Sequence, residues 1–156
     1  MQPSDQVIFH GIDHSEHLLR IGTRLAAAML LGGVMGYERQ REGKTAGVRT
    51  HGLVALGAAL FVIFPLESGL SMSDLSRVIQ GLVAGIGFLG AGTILKVSDH
   101  EIRGLNTAAS IWLTAAVGVS VGAGWLWPAI TAVFLAWCLL AGMHLLDPPP
   151  PRKNGQ

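Results

Sequence analysis

The amino-acid sequence predicts an all-α integral membrane protein, a bundle of about five transmembrane helices. Three observations predict it. Charged residues make up 13% of the chain, against roughly 25% in an ordinary soluble domain. So few charges cannot clothe a small protein that faces water on every side. Mean hydropathy is +0.48. Long apolar runs recur between short charged clusters, each close to or above the roughly 20 helical residues that cross a bilayer.

The elements follow in order. Residues 1–14 form a polar segment without a clear period, and without the basic start of a signal peptide. Ser15 suits a helix cap, with Glu16 in the first turn. The first apolar run covers about Leu18 to Tyr37, with Arg20 and Arg24 near its start. These two are expected to snorkel outward or to find partners in the bundle. The second run covers Thr50 to Leu66 and the third Val78 to Leu95. Gln80, inside the third, is expected to bond across to a neighbouring helix. Gly104 to Leu146 holds no Asp, Glu, Lys or Arg and is too long for one span. GAGWLWP, Gly122 to Pro128, divides it, since glycines end a helix and proline fits a first turn. Asn106 and Thr107 read as the cap of the fourth helix. The membrane domain is thus 15–146. The run 147–156, DPPPPRKNGQ, reads as a disordered tail.

Basic residues alternate between connections. Arg39, Arg41, Lys44 and Arg49 follow the first helix, Lys96 and Arg103 the third, and Arg152 and Lys153 the fifth. The other two connections are acidic or uncharged. The positive-inside rule then places the N-terminus outside and the C-terminus in the cytoplasm, with Trp125 and Trp127 at the outer interface.

AGIGFLGAG, Ala84 to Gly92, matches the letters of a dinucleotide-binding loop. The match lacks the alternation of strand and helix, and the acid about 20 residues further on, that such a loop needs. Small residues four apart instead let helices approach closely in lipid. Gly32 and Gly36, Gly81 and Gly85, Gly87 and Ala91, and Gly118 and Gly122 have that spacing. These faces can pack within one chain or between copies.

GYERQREGKTAGVRTHG, Gly36 to Gly52, is too charged to lie in lipid. Its charges are expected at the cytoplasmic membrane surface, with Glu38 and Arg49 brought together by the helical hairpin. The functional reading is a docking surface or site built from Glu38, Arg39, Lys44, Arg49 and His51, where two helix ends meet and a partner or an anion could bind. His51 is read as a hydrogen-bonding residue at a helix start. His10, His14 and His17 read as a solvated trio, and Cys138 as a buried apolar residue. No Asp or Glu lies deep in a predicted span, so no cation route stands out. No catalytic constellation and no cofactor site assemble from these residues. The basic residues form no nucleic-acid patch.

These segments resemble the MgtC/SapB family of bacterial inner-membrane proteins. The resemblance rests on GYERQREGKTAGVRTHGLVALGA, GLVAGIGFLGAGTIL and IRGLNTAASIWLTAAVGVSVGAG. It implies a multi-pass inner-membrane protein linked to magnesium limitation. By position it marks Glu38, Arg39, Lys44, Arg49, Thr50, His51, Arg103 and Thr107 as signature residues. The family often has an acid where this chain has Gln40, and Thr where it has Asn106. Many relatives also carry a soluble C-terminal domain, which is not expected here. The function expected is a non-enzymatic regulator or adaptor tied to magnesium homeostasis through the basic loop. Its expected partners are lipid, another integral membrane protein and other copies of itself. The alternative is a transporter or channel for magnesium or another cation, and any metal site stays open.

Overall fold

The computed structural model describes residues 15–98 and 101–143. The expectations for segment 1–14, for His10 and His14, and for the proline tail lie outside the described residues. The element order is α1 (Ser15–Arg41), α2 (Val48–Glu67), α3 (Met72–Ala91), β1 (Leu95–Ser98), β2 (Glu101–Arg103), α4 (Leu105–Gly122) and α5 (Leu126–Met143). Helices α1, α2 and α4 are long and apolar enough to cross a membrane, and α5 carries a shorter apolar stretch, Leu126–Leu140. They form the centre of the bundle, with α3 lying mainly against α4 and α5 against α4 and α1.

The interior is made of small residues. Ala28, Ala55, Ala59, Val117 and Val121 are buried together, while Phe61, Phe64, Phe88 and Trp127 face outward. That distribution suits lipid, where large apolar side chains lose nothing by staying outside and close backbone packing supplies the attraction. The glycines show where the backbones meet. A Cβ on Gly32 would come 2.5 Å from the His51 carbonyl oxygen, and one on Gly122 2.7 Å from that of Ala59. A Cβ on Gly118 would overlap the Ala55 carbonyl oxygen, and one on Gly36 would come 2.6 Å from that of Gly47. Gly81, Gly85 and Gly87 differ: a Cβ there meets nothing within 4 Å. Gly81 and Gly85 share an exposed face of α3, and Gly87, on another face, borders a cavity against α4.

Several elements depart from the sequence reading. α3 starts at Met72, ahead of the expected Val78, because Ser71 caps it: Asp74 N–H donates to Ser71 Oγ at 3.2 Å. It ends at Ala91, and Leu95 belongs instead to an antiparallel hairpin of β1 and β2. The fourth helix begins after Gly104, which places Asn106 and Thr107 in its first turn rather than at its cap. Gln80 is exposed, without a side-chain hydrogen bond among the described residues, because α3 turns that face outward. Cys138 is exposed on α5, not buried.

The turn after α4 follows the glycine signal. Gly124 has φ +88°. Trp125 N–H donates to the Ser120 carbonyl at 2.8 Å and Gly124 N–H to that of Val121 at 2.9 Å. These two bonds close the helix end and release the chain into α5. At this end of the bundle a Cβ on Gly124 would sit 3.2 Å from an Arg24 guanidinium nitrogen, so Arg24 reaches into the bundle. His17 is not a free member of a trio: its Nε2 lies 2.7 Å from Glu67 Oε2, joining the start of α1 to the end of α2.

Candidate functional site

The opposite end gathers the end of α1, the connection to α2, the hairpin and the start of α4. α1 runs past Tyr37 to Arg41, so Glu38 and Arg39 are helical and turn inward. Arg39 is only 2% exposed. Its Nη1 donates to Glu42 Oε2 at 2.6 Å, and its Nη2 to Thr107 Oγ1 on α4 at 3.4 Å. Gln40 Oε1 accepts from Val48 N–H at 3.3 Å, which ties the connection back onto α1.

Arg39, Lys44, Arg103 and Thr107 line one cavity of about 740 Å³, together with Thr45, Thr93 and Asn106. Three cations therefore face it from α1, the connection and β2. Among the described residues no carboxylate lines it, and Glu42 is paired with Arg39. The start of α4 also faces it, through Gly104, Leu105 and Asn106. Gly104 offers no side-chain cap, so the partial positive charge of the helix start adds to the three cations. The arrangement is built to receive negative charge.

The other signature residues lie elsewhere. Glu38 is buried, with Oε2 3.8 Å from Arg41 Nη1. The expected Glu38–Arg49 pair is absent among the described residues. Arg49 instead lines a separate, mostly apolar cavity of about 700 Å³ with Tyr37, Leu53 and Trp137. Thr50 is exposed. His51 is fully buried between α2 and α4 rather than part of a docking surface. Its Nδ1 lies 3.1 Å from the Gly47 carbonyl and its Nε2 3.2 Å from Ser110 Oγ. A carbonyl only accepts, so Nδ1 carries the proton toward Gly47. Ser110 Oγ, which donates its own proton to the Thr107 carbonyl at 2.8 Å, links the ring to the start of α4. His51 thus pins α2 to α4 directly behind the cavity.

Glu42, Thr45, Thr93 and Ser110 were not singled out in the sequence. Glu42 could have been, since it stands three residues after Arg39 at a helix end. Thr93 and Ser110 carry no local signal, because the hairpin and the α2–α4 contact bring them in. Among the described residues, no three of His, Cys, Asp and Glu gather as a metal site.

A model of the MgtC family matches residues 25–147. The chain is 43% identical to Protein SrpB of Synechococcus elongatus, over 83% of its own length and 78% of that protein. It is 53% identical to Protein MgtC of Brucella abortus, over 71% of this chain and 46% of that one. With Protein MgtC of Salmonella typhimurium the identity is 44%, over 73% and 48% of the two chains. The match thus spans about half the length of these two MgtC proteins. No solved structure matches the chain.

Proposed function

The chain belongs to the MgtC family, and from that membership we propose that it serves magnesium homeostasis as a non-enzymatic regulator in the bacterial inner membrane. In this reading all five helices lie in the membrane, with the cavity end at the cytoplasmic surface. It acts on another integral membrane protein through that end. The observation that carries the reading is the cationic lining: Arg39, Lys44 and Arg103 share one cavity. Arg39 is paired with Glu42, and the cationic groups that line the cavity with it favour an anionic group over a divalent cation. A magnesium carrier would need the opposite lining. The apolar cavity beside Arg49 supports a membrane partner, since a helix in lipid could lie against it.

The test is complementation. Cells lacking the gene are expected to grow poorly in low magnesium and to recover with the wild-type chain. Lys44 is exposed, so Lys44→Glu should insert and accumulate normally. It reverses one of the three charges, and recovery is expected to fall at least several-fold. Full recovery by Lys44→Glu at equal membrane amounts would refute the reading.

A further inference from the structure

We propose that the cationic cavity binds a phosphate group. The inference deepens the reading above and rests on this cavity being the working surface. The starting point is Arg39. It is 2% exposed, yet its Nε has no hydrogen-bond partner among the described residues. A buried guanidinium N–H left unpaired is costly, and native structures rarely tolerate it. Glu42 and Thr107 occupy the two terminal nitrogens, and the side chain lines the cavity. An acceptor held in the cavity would complete the set.

The surroundings define that acceptor. Lys44 and Arg103 bring positive charge from two other elements, and Thr45 brings a hydroxyl, whereas the Thr93 hydroxyl is given to the Gly90 carbonyl at 2.8 Å. The uncapped start of α4 brings backbone N–H groups. Donors thus converge from α1, the connection, the hairpin and α4. A planar carboxylate offers two oxygens to such a ring, whereas a phosphate offers three or four in a tetrahedral array. The cavity, at about 740 Å³, has room for more than one phosphate, so a phosphate ester fits as well as the free ion. Two sources share this chemistry: inorganic phosphate and the headgroup of an anionic phospholipid.

The experiment uses the full chain in dodecyl maltoside micelles, which contain no phosphate. One titration adds inorganic phosphate and a second adds phosphatidylglycerol. Lys44→Ala and Arg103→Ala change exposed side chains, so the fold should persist. Each is expected to weaken binding about tenfold, as a lost charged contact does. Arg77→Ala lies near the start of α3, at the other end of the bundle, and should bind as wild type. Saturable binding of inorganic phosphate with this pattern supports the proposal and identifies the free ion. Binding of phosphatidylglycerol alone, with the same pattern, supports it and identifies the lipid headgroup. Saturation by neither, or wild-type binding by both cavity variants, overturns it. Binding is read on purified protein, so its failure is separable from a failure of the growth test.

Discussion

Gly104 shows how a single residue shapes the cavity. Its φ is +93°, and a Cβ there would overlap the Thr93 carbonyl oxygen. Only glycine lets β2 pass directly into α4 while the helix start lies over Thr93. Gly104→Ala should cost about 1–3 kcal/mol. A thermal unfolding curve in detergent would show a lower midpoint, and an unchanged midpoint would refute the constraint. At this scale the sequence revealed chemistry better than position. Arg39 and Glu38 stood out as charged residues beside a helix, but their burial did not. It depends on α1 running to Arg41, which carries both side chains inward. His51 was legible as a hydrogen-bonding residue, but its partner Ser110 lies 59 positions away, so no local pattern could name it.

Among the elements, the helices were legible because apolar length is a strong signal, and their contacts were less so. Four pairs of small residues had the same spacing in the sequence. The structure puts Gly32, Gly36, Gly118 and Gly122 against neighbouring backbones and leaves open space at Gly81, Gly85 and Gly87. Spacing alone cannot tell these apart, because both kinds of face have the same period. Substitution should. Gly118→Ala drives a methyl into the Ala55 carbonyl and should destabilise the fold by about 1–3 kcal/mol. Gly85→Ala meets open space and should be neutral, or stabilising by about 0.5–1 kcal/mol. Denaturation in mixed micelles would compare them, and equal effects would contradict the packing described. The start of α3 was missed for another reason. Ser71 and Asp74 have the spacing of a helix cap, but their polarity reads as a loop when only apolar runs are sought.

At the scale of the molecule, small residues inside and large apolar residues outside mark a membrane bundle. One end carries the cationic cavity and the other the His17–Glu67 pair. The family was legible from three motifs. The cavity was not, since its lining comes from α1, its connection, α3's end, the hairpin and α4. The sequence reading placed Arg49 and His51 with Arg39 because they share a loop and a helix start. In three dimensions α2 turns Arg49 to one side and His51 into the core. What remains is a site whose charge suits an anion, in a family tied by resemblance to magnesium. The most direct measurement is initial magnesium uptake in cells lacking the gene and in cells overproducing it, with membrane potential matched by ionophore. A regulator with a cationic cavity predicts equal initial uptake per cell alongside a growth defect in low magnesium. Uptake that rises in proportion to the amount of this protein would contradict it and make the chain a carrier.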